Sequence, residues 1–533
     1  MQDSGVIPTG AETAESVKAR GAFYTPDKIT RFLSGWAVRT VDDRVLEPSC
    51  GDGAFVTALV ERFEQLGVDR VGERLLGVER QPAEAEKARL IAPSANIRSL
   101  DFFDFEPASV PRVDVAIGNP PYIRYHGFTG SDRNKALART QAQGVELTRL
   151  ASSWAHFVVH AAAFLKPSGR LALVVPAELL HTDYGQPVRE FLLRRFPSVV
   201  VIAFDRMVFP EAQVDAVLLL ASSDTASGLQ VIRVRDESAL VSLDLHSPTS
   251  GPNGHSAARW SSAMDPVAGQ IYADAVATLG AFRLGDVASV DIGFVTGADA
   301  FFMLSESEVR EHRLPREVLS PAVRRPRDAP GLEATGGELS WLLDLAGRED
   351  LDPATLRYLA QGVVRGVSGG YKCRVRRPWY AVPIPKQRPD AFIPYMAHLG
   401  PRLIVNRLAA RNTNLLHGVA LGRGAPPVRA LAVAMCGSLT LLSAEIEGRA
   451  YGGGVLKLET REAERLRIPA IAHERARALE DKFEEVDHLV RLGDIAGASC
   501  VADQVLGVDH ETVWGAYAVF RTRRLGRRRG LAS

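Results

Sequence analysis

The sequence predicts a doubly wound α/β sheet over residues 1–245 and a mixed α+β domain over 281–533, joined by a linker at 246–280. Three observations carry this. Short apolar runs alternate with longer amphipathic stretches as far as about residue 220, and runs so short fit strands covered on both faces. The turn-rich segment His246-Ser-Pro-Thr-Ser-Gly-Pro-Asn-Gly-His255 then interrupts the pattern. Beyond it the alternation is lost, prolines and glycines are frequent, and charge is unevenly spread. A chain of 533 residues, 46% of them hydrophobic, has material for two or three cores.

In order, the apolar runs Arg44–Leu46, Arg74–Val78, Asn96–Leu100, Val113–Ile117, Arg170–Val175, Val199–Phe204 and Val217–Leu220 read as strands. The stretches Ala54–Leu66, Ala83–Ile91, Ser153–Leu165 and Gln186–Arg195 carry helical periodicity. Strand and helix in alternation place ligands at the carboxyl ends of the strands. A net charge of +1 excludes a uniformly basic protein. Cys50, Cys373, Cys436 and Cys500 are not closely paired, so neither a disulfide framework nor a metal site is expected. No apolar run approaches roughly 18 residues and no leader-like start is present, which predicts a cytoplasmic protein.

The first strand runs into Glu47-Pro-Ser-Cys-Gly-Asp-Gly53, where Gly51 and Gly53 permit a tight turn and close approach of backbone to a ligand. Glu79, followed by Arg80, closes the second strand where such folds place an acid for ribose hydroxyls. Asp101-Phe102 follows the third strand and suits an adenine amino group and ring. No Lys-Ser or Lys-Thr follows the glycines, so a triphosphate loop is excluded. An adenosine cofactor with a cationic centre fits better, and S-adenosylmethionine is the candidate. The fourth strand ends in Gly118-Asn-Pro-Pro-Tyr122. An exocyclic amine is a poor nucleophile because its lone pair is delocalised. The Asn119 side-chain oxygen and the Pro120 carbonyl could localise that pair, with the rings of Pro120 and Pro121 fixing both acceptors. Tyr122 sets an aromatic ring beside these two acceptors. Cys50 follows Ser49 inside the glycine turn and reads as a small structural residue rather than a nucleophile.

Gly21-Ala-Phe-Tyr-Thr-Pro26, Leu46–Phe55, Gly77-Val-Glu79, Asp101-Phe102, Gly118–Tyr122, Leu165–Leu171 and Phe209-Pro210, in this order, resemble the gamma-order, TaqI-like N6-adenine DNA methyltransferases of type II restriction–modification systems. Asp291–Gly297 and Gly452–Leu458 resemble recognition-domain segments of related enzymes. The resemblance implies a Rossmann-like, S-adenosylmethionine-dependent methyltransferase sheet followed by a target-recognition domain. It assigns Tyr24, Thr25, Pro26, Glu47, Pro48 and Gly51 to the methionine end of the cofactor. Glu79 and Arg80 fall at the ribose, Asp101 and Phe102 at the adenine, Asn119 at both cofactor and target, and Phe209 opposite Tyr122 around the flipped base.

The same motif serves enzymes that methylate RNA or a protein glutamine amide, so the substrate must be read elsewhere. Arg365, Lys372, Arg374, Arg376, Arg377, Lys386, Arg388, Arg402, Arg407, Arg411 and Arg423 face one acid, Asp390, over the same span. That concentration suits double-stranded DNA; a solvated loop region balanced by acids elsewhere is the alternative. Arg374, Arg376, Arg377, Arg407 and Arg411, with Asn406 and Asn412, are the residue types suited to phosphates and base edges. The polar segment 124–149 reads as a mobile loop over DNA or an ordinary surface excursion. No nuclease-sized domain stands ahead of residue 20 or between the halves, which predicts a separate cognate endonuclease.

Overall fold

The computed structural model describes residues 25–124, 127–206, 208, 215–224, 228–243, 245, 260, 265–334, 340–348, 350–385, 387–451 and 454–526. The chain divides into two compact units between Pro266 and Val267.

The first unit is built on one eight-stranded sheet. Its strands are β1 (Val45–Glu47), β2 (Leu75–Glu79), β3 (Asn96–Ser99), β4 (Val113–Gly118), β5 (Leu165–Pro176), β6 (Ser198–Phe204), β7 (Ala216–Ser222) and β8 (Gly228–Val234). They lie in the order β3-β2-β1-β4-β5-β7-β6-β8. β7 runs antiparallel to both neighbours, and the other pairings are parallel. The helices are α1 (Asp27–Ala37), α2 (Ala54–Gln65), α3 (Pro82–Ile91), α4 (Gly130–Gln141), α5 (Ser153–Ala162), α6 (Glu178–His181) and α7 (Gln186–Arg195).

The short apolar runs explain the layering. In β5, Leu171, Leu173 and Val175 enter one core with Trp154, Phe157 and Phe191, while Ala172 and Val174 enter another with Leu33, Val56 and Leu59. Period-2 alternation with both faces apolar requires helices on both sides of the sheet. The chain winds outward from β1 to β3 and then returns to β4 beside β1. The crevice beyond the carboxyl ends of β1 and β4 is therefore the switch point at which such sheets bind ligands.

Three differences from the sequence expectations appear here. β8, α1, α4 and α6 were not anticipated. Within the segment 124–149, read as a mobile loop over DNA or an ordinary surface excursion, α4 is tied to the sheet edge: Arg139 donates to the Phe103 carbonyl at 2.8 Å and Lys135 pairs with Asp104 at 2.7 Å. The linker expected over 246–280 ends in the helix Pro266–Thr278, whose Ala268 is buried among Leu431, Leu439 and Leu442 of the second unit.

The second unit contains two four-stranded sheets. One takes Ala288–Ile292, Leu416–Leu421, Ala391–Pro394 and Ile404–Val405 in spatial order; the other takes Met303–Leu304, Ser340–Leu343, Leu319–Val323 and Arg411–Asn412. The helices Val428–Ala434, Ser438–Glu447, His473–Asp481, Phe483–Leu492, Ile495–Leu506 and His510–Gly526 gather around the largest apolar core of this unit. Among the described residues no single helix is long and apolar enough to cross a membrane.

Candidate cofactor and target-base site

The carboxyl ends of β1, β2 and β4 bring together most of the residues singled out in the sequence. Glu47 ends β1 and is 1% exposed, and its Oε2 has no hydrogen-bond partner among the described residues. Burial, with the nearby charges of Glu79 and Asp52, pushes its carboxyl up to about 8 from an ordinary 4.5, against an opposing bond from Cys50. A buried carboxyl with one oxygen left without a donor among the described residues suits a cationic ligand group.

Gly51 adopts φ +51° and Gly53 φ +89° where the chain turns into α2. A Cβ at Gly53 would lie 2.4 Å from Ile91 Cδ1, so the turn requires glycine there. Glu79, 9% exposed, closes the turn by accepting from the Gly51 amide at 2.9 Å and the Gln81 amide at 2.7 Å. Each carboxylate oxygen keeps a lone pair for a ribose hydroxyl. The Cys50 thiol is buried and pushed well above its ordinary range, chiefly by desolvation. A Cβ on Gly77 would stand 2.7 Å from its sulfur, so Cys50 packs the turn and is no nucleophile.

Asp101 accepts from the Phe103 amide at 2.8 Å and lies 3.3 Å from Arg80 Nη1. Arg80 and Phe102 also have partners outside the expected cofactor contacts. Arg80 is exposed and pairs with Asp132 of α4 at 2.9 Å, so it ties α4 to the sheet edge. Phe102 is 3% exposed and its ring stacks on Phe157 at 5.2 Å and Phe164 at 5.6 Å, which makes it core and not an adenine platform.

At the end of β4, Gly118 lets the chain pass close to β1: a Cβ there would touch Pro48 Cδ at 3.4 Å and Glu47 Cγ at 3.5 Å. The Asn119 amide nitrogen donates to Thr25 Oγ1 at 3.0 Å, and the Asn119 carbonyl accepts from Ser49 Oγ at 3.2 Å. In this arrangement the side-chain nitrogen lies toward Thr25 and Oδ1 away from it. Pro120 is buried, Pro121 half-buried, and Pro26 half-buried just ahead of α1. Tyr122 is half-buried, and desolvation of its hydroxyl raises its pKa well above the ordinary value. The Ile123 amide donates to Ser153 Oγ at 2.9 Å. Tyr24 and Phe209 lie outside the described residues.

In the second unit the arginines divide by burial. Arg374 and Arg377 are exposed, with Arg377 Nη1 donating to the carbonyls of Arg374 and Arg376. Arg376 is 9% exposed and spends its guanidinium on the Val295 and Thr296 carbonyls, each at 2.7 Å, so it is a pillar of the fold and not a DNA contact. Arg407 is exposed, 3.4 Å from Glu333. Arg411 is half-buried and donates to the Pro385 and Gln387 carbonyls. The two asparagines also serve the fold. Asn406 donates to the Pro389 and Ala410 carbonyls, and Asn412, 6% exposed, donates to Leu416 at 2.8 Å.

Residues 10–243 match the family model for N-6 DNA Methylase, and residues 258–506 match that for the C-terminal domain of the type II methyltransferase M.Eco57I. Residues 10–243 therefore carry an N-6 DNA methylase domain. The type II methyltransferase M.XamI of Xanthomonas campestris pv. amaranthicola is 28% identical to this methylase over 476 residues, covering 85% of each chain. The type II methyltransferase M.AccI of Acinetobacter calcoaceticus is 20% identical over 466 residues, covering 84% of each chain. The type IIL restriction–modification enzyme MmeI, solved in complex with DNA, shares the fold with a TM-score of 0.57 at 12% identity, covering 96% of this chain and 75% of its own.

Two site residues of the methylase escaped the sequence reading. Ser49 lies inside a motif already quoted, and its bond to Asn119 is visible only in three dimensions. Ser153 opens a helix 30 residues beyond Ile123 and carries no motif of its own.

Proposed function

We propose that this N-6 DNA methylase transfers a methyl group from S-adenosylmethionine to N6 of an adenine flipped out of double-stranded DNA. In this reading it is the gamma-order modification enzyme of a type II system, acting in the cytoplasm beside a separate endonuclease that cuts the same site. The observation that carries the reading is the junction of Thr25, Ser49 and Asn119 at the end of β4, with Glu47 Oε2 buried at the end of β1 and without a partner among the described residues.

S-adenosylmethionine, when bound, supplies an electrophilic methyl on a sulfonium. The residues present fit it. Glu47 Oε2 would meet the ammonium, Glu79 would accept the ribose hydroxyls, and Asp101 would accept from the adenine amino group. A cationic ligand group would in turn favour the charged form of Glu47. Asn119 Oδ1, turned away from Thr25, and the Pro120 carbonyl accept from the two protons of the target amine. The nitrogen is thereby held toward tetrahedral geometry with its lone pair aimed at the methyl. Acceptors fixed beforehand need no reorganisation as charge develops. Tyr122 offers one face to the displaced base, worth on the order of 1 to 3 kcal/mol, and Phe209 the other. Arg374 and Arg377, with Lys372 and Arg365, form the exposed basic surface for phosphates.

The test is partition of label from radiolabelled cofactor among duplex DNA, RNA and a glutamine-bearing protein substrate. Label in DNA supports the reading, and label confined to RNA or protein overturns it.

A further inference from the structure

Prolines at 120 and 121 lock two φ angles but leave that stretch without backbone donors. Rotation about the Pro121 Cα–C bond and at Tyr122 therefore needs another constraint, and the structure contains one. Ser153 is 1% exposed. Its Oγ accepts from the Ile123 amide at 2.9 Å and donates to the Pro121 carbonyl, while its own amide donates to the Ile123 carbonyl at 3.0 Å. One buried hydroxyl thus joins the peptide groups on both sides of Tyr122.

Ser153 is not spent on its own helix. It is the first residue of α5, the N-cap position belongs to Ser152, and no side chain caps the helix. All ten residues of α5 are buried, which makes a stiff mount. The mount is held again one residue to either side: Trp154, fully buried, donates to the Tyr184 hydroxyl at 3.1 Å. That hydroxyl donates to Glu178 and lies 3.3 Å from Ser152 Oγ.

We propose that Ser153 is a positioning residue for methyl transfer, clipping the peptides on either side of Tyr122 so that the Pro120 carbonyl and the Tyr122 ring keep their places around the target base. The proposal rests on reading Asn119–Tyr122 as the target-base site. It assigns Ser153 no contact with cofactor or base; its influence passes through the loop.

The experiment compares wild type, Ser153→Ala and Ser153→Thr as full chains, reading kcat on DNA, the Kd for S-adenosylmethionine, and amide exchange at Ile123. Leaving a buried donor and acceptor unmatched should lower kcat and speed Ile123 exchange in Ser153→Ala by about 5- to 150-fold. Cofactor affinity should stay within about twofold of wild type, because Glu47 and Glu79 stand on other strands. Ser153→Thr, which keeps the hydroxyl, should recover most of both losses. The proposal is overturned if Ser153→Ala keeps wild-type kcat and exchange, or loses cofactor affinity in step with kcat. It is also overturned if Ser153→Thr regains protection at Ile123 without regaining kcat. Were wild type to move no label to DNA, the assigned reaction would fail, and Ile123 exchange alone would decide the clip.

Discussion

Replacing Glu47 by Gln tests the cofactor site through its electrostatics. With its carboxyl pushed from 4.5 to about 8, ionising Glu47 in the folded, unliganded protein costs about 5 kcal/mol more than in an unfolded chain. The sign follows from the raised value: stability contributed by the protonated carboxyl is present below the ordinary 4.5 and lost as pH rises toward 8. At pH 7 roughly one molecule in ten carries the charge. A ligand ammonium beside Oε2 favours the charged form, so cofactor binding at pH 7 should expel close to one proton. Affinity should rise nearly tenfold from pH 6 to pH 7, then level off where the cofactor's own amino group titrates at about 7.7 to 8.0. Glu47→Gln should weaken binding by about 10- to 150-fold, the worth of a hydrogen bond to a charged group, and abolish the pH slope. Its unliganded form should melt higher than wild type at pH 8, because no buried charge remains. The assay is calorimetric titration of cofactor in two buffers of different ionisation heat. A wild-type affinity flat between pH 6 and pH 7 without proton release, or Glu47→Gln binding as wild type does, would refute the reasoning.

Asn119→Ala should lower kcat by about 10²- to 10³-fold, a loss well beyond any change in cofactor affinity, measured by single-turnover methylation and titration. Thr25→Val removes the partner that orients the Asn119 amide and should lower kcat about tenfold; a wild-type rate would show that Asn119 needs no such restraint. Arg374→Ala and Arg377→Ala should each reduce the salt slope of DNA binding by about one and weaken binding alike across sequences. Arg376→Ala should leave that slope unchanged and lower the melting temperature, since two carbonyls lose their donor; a changed slope would restore it as a DNA contact.

What was legible in the sequence was whatever apolar patterning or motif spacing encodes. The seven strands read as short apolar runs are present; six of them are buried on both faces, as in β5, while the edge strand β3 buries only Ile97. β8 was missed because six of its seven residues are only half-buried, so it carries no strong apolar run. α4 was missed because only Ala136 and Thr140 are buried on it, and ion pairs to Asp104 and Glu106 hold it in place, which periodicity does not report. The order of Glu47, Glu79, Asp101 and Asn119 along the strands sufficed to gather the site. Burial did not follow from residue type: Phe102 and Arg376 looked like ligand-binding groups and serve the packing. The amides of Asn406 and Asn412 looked like base readers and close turns. Ser153 shows the converse, since an unremarkable serine is recognisable only from the two peptide groups it joins.

The measurement closest to the central claim is the chemical identity of the methylated nucleoside. Unmethylated duplex DNA is treated with the full chain and labelled S-adenosylmethionine, digested and separated. The result expected is label in N6-methyl-2′-deoxyadenosine, at one sequence context, and none above background with Asn119→Ala. Label in a methylated cytosine, or equal label from Asn119→Ala, would contradict it.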